Sequence, residues 1–221
     1  MGDDPRLVLL GKQGAGKGTQ AVLLAEHYGI PHLSTGDMFR AQAELGTSFG
    51  LEAKRYMDAG ELVPDEIVLG VIKESLAPGG ALSGGFVLDG FPRTLDQAEE
   101  LDRVLDGRPL DAAVMIEVPH DVVMHRLAGR RVCRRCQRVY HVDMPPSHPW
   151  VCDTCGGDVV QRDDDTEEAI NRRLEIYERD TMPIADRYRV QDRLVSADGV
   201  GTGEEIAIRL ISALDAAMSQ R

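Results

Sequence analysis

Short apolar runs alternate along the chain with stretches in which apolar residues recur at helical spacing. The runs at residues 7–10, 85–88 and 112–118 have the length of buried strands, and residues 32–34 and 194–196 give shorter strand patterns. Helical faces are clearest near the two ends of the chain, in Ala21, Leu24, Ala25 and Tyr28 and in Ile206, Leu210, Leu214 and Ala217. This alternation predicts an α/β fold with a parallel sheet covered on both faces and ligands at the carboxyl ends of the strands.

Two stretches interrupt the alternation. Residues 37–76 contain two or three short helical segments separated by glycines, which is typical of a small helical subdomain. Residues 131–162 combine four cysteines, several prolines and short β-like runs, and they indicate an inserted module. The chain therefore predicts one α/β domain with insertions.

Further helices are predicted on either side of the inserted module. One spans about residues 94–105 and the next about residues 121–130. After the module, the aspartates at residues 163–165 with Glu168 resemble a capping box, which predicts that a helix starts there.

A glycine-rich loop follows the first predicted strand. Residues 11–19 read G-K-Q-G-A-G-K-G-T, and the glycines at positions 11, 14 and 16 allow backbone N–H groups to surround an anion at the start of the next helix. Lys17 adds a mobile positive charge. Gly18 stands where the usual pattern has a hydroxyl, and Thr19 follows one residue late, so we interpret this as a variant phosphate-binding loop. A glycine-rich turn with an incidental lysine is the alternative interpretation.

Composition argues against several classes of partner. The 221 residues include 37 acidic and 25 basic side chains, and the net charge of −12 opposes binding to nucleic acid or to an anionic membrane surface. No apolar run reaches the length of a membrane span, and residues 1–6 contain no signal-peptide core. We therefore expect a cytoplasmic protein with no nucleic-acid or membrane partner, in which an anionic ligand needs a local basic cluster.

Four cysteines have the spacing of a metal site. Cys133, Cys136, Cys152 and Cys155 form two C-x2-C pairs, as in structural zinc sites with four thiolates. Such a site would staple the module and would have no open position for chemistry. Free cysteines, two disulfides and a zinc-ribbon module for nucleic acid are the alternatives.

Arginines are the second group of candidate site residues. They are Arg40, Arg93, Arg126, Arg130, Arg162 and Arg173. The predicted helix at 121–130 places Arg126 and Arg130 on one face, where they repel each other unless an anion lies between them. Beside a phosphate-binding loop, the set suggests clamps on a second phosphorylated substrate, although each one could be a solvated surface charge.

Several motifs together resemble adenylate kinase, of the bacterial long-lid type with four cysteines holding zinc. They lie in order at residues 11–19, 34–40, 88–94 with Gln97, 129–131, 138–141 and 162–173. The resemblance implies the P-loop nucleoside monophosphate kinase fold, with a five-stranded parallel sheet flanked by helices. It also implies a core domain of residues 1–33, 64–128 and 166–221, a helical AMP-binding subdomain at 34–63 and a zinc-stapled lid at 129–165.

The resemblance also implies roles for individual residues. The ATP-binding set would be Gly14, Ala15, Gly16, Lys17, Gly18, Thr19, Arg130, Val139, Tyr140 and Gly201. The AMP-binding set would be Thr35, Arg40, Glu61, Leu62, Val63, Gly90, Phe91, Pro92, Arg93, Gln97, Arg162 and Arg173. Catalytic roles would fall to Lys17, Arg93, Arg126, Arg130, Arg162 and Arg173. Asp89, at the end of a predicted strand, could hold magnesium through water or could simply cap the next turn.

The implied activity is reversible Mg²⁺-dependent transfer of phosphate between ATP and AMP to give two ADP, by a monomer with structural zinc. Two alternatives stay open: a kinase for UMP, CMP or another nucleoside monophosphate, and a nucleotide-sensing or zinc-binding module without turnover. Lys12 and Gln13 replace the alanine and proline usual in this family's loop, and the lid loop at residues 144–150 is shorter than in many long lids.

Overall fold

The computed structural model describes residues 4–77, 79–80, 82, 84–105 and 107–219. Residues 1–3, 78, 81, 83, 106 and 220–221, which the predicted core domain includes, lie outside this part of the chain. The strands are β1 Arg6–Leu10, β2 His32–Ser34, β3 Phe86–Asp89, β4 Ala112–Glu117, β5 Arg130–Cys133, β6 Val139–His141, β7 Val159–Val160 and β8 Leu194–Asp198. The α-helices are α1 Lys17–Tyr28, α2 Thr35–Glu44, α3 Ser48–Asp58, α4 Asp65–Leu76, α5 Leu95–Val104, α6 His120–Ala128, α7 Glu167–Ile176, α8 Met182–Val190 and α9 Gly203–Met218.

The main sheet has five parallel strands in the order β2-β3-β1-β4-β8. The predicted five-stranded parallel sheet flanked by helices is therefore confirmed. In the register of the sheet, Asp89 pairs with Leu9 on one side and with Ser34 on the other. The segments that follow β1, β2 and β3 consequently leave the sheet next to one another.

Alternate residues of the central strands pack into two separate cores. Leu7 and Leu9 of β1 face a core that includes Leu24 of α1 and Leu210 of α9. Val8 and Leu10 face the opposite core, which contains residues of α4, α5 and α8. Because both faces of the sheet are covered, its central strands are continuous apolar runs, and this made them recognisable in the sequence.

The two predicted interruptions have different architectures. Helices α2 and α3 occupy most of residues 34–63, and the side chains of Ser34 and Thr47 cap their first turns. Strands β5, β6 and β7 form a separate antiparallel sheet in the order β6-β5-β7 within residues 129–165. A helical insertion and a small β module thus both follow the phosphate-binding loop along the chain.

Two predicted helix boundaries are wrong. The helix predicted at 121–130 ends at Ala128, and Arg130 instead begins β5, where it pairs with His141. Arg126 and Arg130 therefore do not share a helical face, because strand pairing overrides the helical spacing. The helix after the module is capped by Thr166, whose hydroxyl accepts from the Ala169 N–H, and the predicted aspartate cap with Glu168 does not form.

A π-helical turn, Tyr177–Thr181, joins α7 to α8. Such turns are rare and often lie at functional sites. The Thr181 hydroxyl donates to the Arg93 backbone oxygen over 2.9 Å, so this turn contacts the segment that follows β3. No helix within the described residues combines the length and apolar character needed to cross a membrane.

Candidate active site

A deep cleft of about 1010 Å³ lies at the carboxyl ends of the parallel strands. The glycine-rich loop after β1, the start of α2, the turn after β3 and the β5–β6 hairpin all contribute to its walls. This is the edge at which parallel α/β sheets bind ligands, as the alternation of strands and helices predicts.

The loop after β1 leads directly into the N-terminus of α1, which begins at Lys17. Gly14 has a φ of 77°, and a Cβ there would lie 2.9 Å from the Leu127 side chain, so the loop packs closely on α6. Free backbone N–H groups at a helix start, together with the helix dipole, favour an anion at this position.

The Lys17 ammonium is held inside the loop. It donates to the backbone oxygens of Gly11 and Lys12 over 2.7 and 2.9 Å. Burial lowers the pKa of Lys17 to about 8, and Asp89 partly opposes this shift while nearby arginines add to it. Burial destabilises the charged ammonium by removing it from water. An anionic ligand would stabilise it again, because the ligand's negative charge replaces the lost hydration.

Asp89 stands at the end of β3 beside the loop. A Cβ placed on Gly18 would lie 3.5 Å from an Asp89 carboxylate oxygen. Gly18, which stands where the usual loop pattern has a hydroxyl residue, is therefore next to this carboxylate. Carboxylate oxygen is a ligand that Mg²⁺ accepts, often through water. The chemistry of this corner therefore fits a magnesium ion held through water.

A buried amide organises the turn after β3. Gln97, which is 2% exposed, accepts from the Arg93 backbone N–H over 2.7 Å and donates to Asp65 over 2.6 Å. Thr35, also buried, donates to the Asp89 backbone oxygen over 3.4 Å. One N–H of the Gln97 amide remains beyond these two bonds, and Gln97 lines the cleft.

Arginines and aspartates alternate along one wall. Arg173 donates to Asp164 over 2.6 Å and to the Met57 backbone oxygen over 2.5 Å. Asp37 contacts Arg40, and Arg162 lies 3.6 Å from the same carboxylate. The aspartates allow several cations to occupy one small volume.

Burial and the neighbouring charges together shift the pKa values of this wall. Burial, followed by the charges of Arg130 and Arg40, lowers the pKa of Arg162 to about 10. Burial, followed by Arg173, also lowers the pKa of Arg93. In Asp164, burial raises the pKa but Arg173 and Arg162 outweigh it, so the pKa lies below its usual value. The wall therefore favours a polyanion.

Arg130 and Gln13 connect the loop to the segment before α7. Arg130 forms a bidentate pair with Asp165, with its Nε 2.7 Å from Oδ2. With the Gln13 amide oriented so that its oxygen meets donors, that oxygen accepts from Arg173 over 2.7 Å and from Arg130 over 3.1 Å. Lys12 pairs with Glu178 of the π-helical turn over 3.0 Å. Both unusual loop residues thus bind the chain around α7.

Arg126 reaches the site from α6. It donates to the Gly199 backbone oxygen over 2.9 Å and to the Ala15 backbone oxygen over 3.4 Å. Although it shares no helical face with Arg130, both side chains line the cleft.

The structure brings nearly all predicted site residues to this one cleft. Those that line it are Gly14, Gly16, Lys17, Gly18, Thr19, Thr35, Arg40, Glu61, Leu62, Val63, Asp89, Gly90, Pro92, Arg93, Gln97, Arg126, Arg130, Val139, Tyr140, Arg162, Arg173 and Gly201. Ala15 and Phe91 do not line it, because their side chains are buried in the two cores. The Tyr140 hydroxyl is also turned away, donating to Cys152 over 3.4 Å, and leaves its ring and backbone for a ligand.

The four cysteines meet as their spacing predicts. Their sulfurs lie within 4.8 Å of one another, and Cys133–Cys155 and Cys136–Cys152 are each separated by 3.5 Å. This excludes disulfide bonds in the structure and is close to the ~3.8 Å edge of a tetrahedron with 2.3 Å zinc–sulfur bonds. The Tyr140 hydroxyl lowers the pKa of the Cys152 thiol to about 6 and favours its thiolate, whereas burial raises the pKa of the Cys136 thiol. The cluster fits zinc.

The acidic partners of the arginines were missed by sequence reasoning. Asp37 has no predicted role of its own, and Asp164 and Asp165 are predicted to belong to a helix cap. The available signal was the run of aspartates directly after Arg162, since acidic residues beside a predicted cation cluster are candidates for pairing with it.

A family model and several relatives match this chain over most of its length. The family model described as adenylate kinase matches residues 9–193. The adenylate kinase of Streptomyces griseus is 50% identical over 215 residues, covering 96% of this chain and 98% of the relative. That of Thermodesulfovibrio yellowstonii is 52% identical over 204 residues, covering 91% and 94%, and that of Bacillus subtilis is 50% identical over 196 residues, covering 87% and 90%. The chain belongs to the adenylate kinase family.

Proposed function

We propose that the cations of the cleft carry out the family's reaction, the reversible transfer of a phosphoryl group from ATP to AMP to give two ADP. The enzyme is a phosphotransferase, and its substrates are those of the family. The observation that carries the assignment is the convergence of Lys17 and the six predicted arginines, from segments far apart in the sequence, on one cleft in a protein of net charge −12.

The loop and the residues around it are proposed to hold ATP. Backbone N–H groups of residues 14–19 would surround the phosphates, and Lys17 would exchange its backbone oxygens for phosphate oxygens. Val139, Tyr140 and Gly201 would contact the nucleotide. Asp89 would hold Mg²⁺ through water, and the ion would neutralise charge on the ATP phosphates.

The opposite side of the cleft is proposed to hold AMP. The remaining N–H of Gln97 suits an acceptor on adenine, and Thr35 and residues 61–63 and 90–92 would enclose the base and ribose. Arg40, Arg93, Arg162 and Arg173 would bind the AMP phosphate. Guanidinium groups suit this task because they offer several donors in a plane.

Transfer then needs positioning and charge stabilisation. An AMP phosphate oxygen is already a nucleophile, so a general base is unnecessary. Charge that develops on the transferred group would be met by Lys17, Arg126, Arg130 and Arg173, which are held before substrate binds and therefore need little reorganisation. Water must be excluded, or ATP would be hydrolysed.

We propose that two subdomains perform this exclusion. Residues 129–165 would close over ATP as a lid stapled by zinc, and residues 34–63 would close over AMP, while residues 1–33, 64–128 and 166–221 form the core. The enzyme is proposed to act as a monomer, because both nucleotide sites are built from one chain; light scattering after gel filtration tests this. Cytoplasmic location stays a prediction from the sequence.

Steady-state assays test the assignment. ADP formation should be fast with ATP and AMP and much slower with GMP, CMP or UMP as acceptor. Lys17→Met should lower kcat by about 10²–10³ while circular dichroism shows the fold intact, because one preorganised cation is lost from the transition state. Lys73→Met, which removes an ammonium from a surface pair with Glu100, is the control and should act like wild type. No rate with AMP, or full activity in Lys17→Met, would overturn the assignment.

A further inference from the structure

Two histidines and an aspartate meet where α6 joins the β5–β6 hairpin. His125 Nε2 lies 3.0 Å from Asp143 Oδ2, and His141 Nδ1 lies 3.3 Å from the same oxygen. Within the described residues, this trio and the four cysteines are the two groups whose ligand atoms all lie within 4.8 Å of one another. Neither the sequence motifs nor the phosphoryl-transfer reaction uses the trio as a unit.

The separations match those of metal ligands. Donor atoms about 2.1 Å from one ion are about 3.0 Å apart in octahedral geometry and about 3.4 Å apart in tetrahedral geometry. The two distances to the Asp143 oxygen fall within that interval. His125 and Asp143 are 68% and 60% exposed, so an ion could reach them directly, while His141 is 19% exposed and fixes the inner side of the site.

Hydrogen bonds orient His141 as they do in metal sites. Its Nε2 lies 3.2 Å from the His125 backbone oxygen, and the Asp143 backbone N–H points at its Nδ1 over 3.2 Å. These contacts put the proton on Nε2 and make Nδ1 an acceptor beside the Asp143 carboxylate, so an ion that binds Nδ1 takes the place of the Asp143 N–H. A histidine ligand that donates its other N–H to a backbone carbonyl is the usual arrangement around protein-bound metals.

The ring of His141 also depends on the glycine between helix and hairpin. A Cβ at Gly129 would lie 2.1 Å from His141 Nε2, so no other residue fits there without moving the ring. The close approach brings the imidazole of β6 against the last turn of α6, next to His125.

We propose that His125, His141 and Asp143 form a second metal site, separate from the cysteine cluster. Two imidazoles and one carboxylate favour a divalent transition ion such as Ni²⁺ or Zn²⁺ over Mg²⁺ or Ca²⁺, and three protein ligands leave positions for water. Because the ligands stand on either side of Gly129, a bound ion ties the hairpin that carries Val139 and Tyr140 to α6.

Calorimetric titration with Ni²⁺ tests the site, in nucleotide-free enzyme that carries one zinc per chain, the amount that the cysteine cluster alone binds. Wild type binds one Ni²⁺ beyond its zinc, and saturating Ni²⁺ raises its melting temperature while equal Mg²⁺ does not. His125→Gln and Asp143→Asn each weaken Ni²⁺ binding by about tenfold or more. Both side chains are largely exposed, so their melting temperatures without Ni²⁺ stay near that of wild type.

His120→Gln is the matched control, since His120 is an exposed histidine of the same helix outside the trio. It binds Ni²⁺ as wild type does. Absence of Ni²⁺ binding in wild type overturns the proposal and leaves the trio as hydrogen bonds that join helix to hairpin. Equal binding in wild type, His125→Gln and Asp143→Asn overturns it as well.

Discussion

The pair of Arg130 and Asp165 closes the base of the residue 129–165 module, and its removal gives the sharpest test of what holds that module in place. The Asp165 side chain is fully buried and that of Arg130 is 13% exposed. Removing one partner of a buried pair costs about 3–5 kcal/mol. Because asparagine keeps one acceptor oxygen, we expect Asp165→Asn to lower the free energy of unfolding by about 2–4 kcal/mol.

Asp163, two residues away, is the matched control. Its side chain is 77% exposed and pairs across the surface with Lys54, at 3.3 Å. Surface pairs contribute about 0.2–1 kcal/mol, so Asp163→Asn should change stability by less than 1 kcal/mol. Urea unfolding followed by far-UV circular dichroism, and by the fluorescence of the single tryptophan, Trp150, measures both variants. Equal destabilisation by the two changes would refute the reasoning.

Three further outcomes follow from the site. Folding lowers the pKa of Lys17 from 10.5 to about 8, so the unfolded chain binds more protons than the folded chain between these pH values. Wild type should therefore gain stability relative to Lys17→Met as the pH rises from 7.5 to 10.5, as urea unfolding would show. A stability difference that stays constant over this range would contradict the lowered pKa. Gln13→Ala should lower kcat about tenfold through lost arginine contacts, whereas Lys12→Ala should stay within about twofold, as steady-state kinetics would show. Removal of zinc by a chelator should change the fluorescence of Trp150, while most of the helical circular dichroism signal remains. An unchanged fluorescence spectrum after the metal is removed would contradict a lid stapled by zinc.

The sequence predicted those features that are local or repeated. The strands at residues 7–10 and 112–118 were recognisable because a strand buried on both faces must be apolar throughout. The cysteine cluster was recognisable because four thiols at this spacing have few other uses. The phosphate, AMP and arginine motifs follow different strands and together implied a single site. The sheet brings these strand ends together, because Asp89 pairs with Leu9 on one side and with Ser34 on the other.

What the sequence did not predict depends on contacts between distant residues. Arg126 and Arg130 have helical spacing, yet the partner that decides the position of Arg130 is His141, eleven residues later, through strand pairing. Asp165 looked like a cap because caps are local, but its carboxylate binds Arg130, thirty-five residues earlier. Helical period and capping patterns contain no information about such partners, so both errors arise from tertiary structure overriding a local preference.

The aspartates also explain how an acidic protein presents a basic cleft. A guanidinium has five donors, and a carboxylate pair uses at most two of them. Arg173 illustrates the consequence, since it binds Asp164, the Met57 backbone oxygen and Gln13 and still lines the cleft. Asp164 reduces the repulsion among neighbouring arginines while the ligand is absent, although burial, followed by the charges of Arg130 and Arg40, still lowers the pKa of Arg162. The remaining excess of positive charge is what a phosphate group relieves, so affinity for anions arises in this cleft although the net charge of the chain is −12.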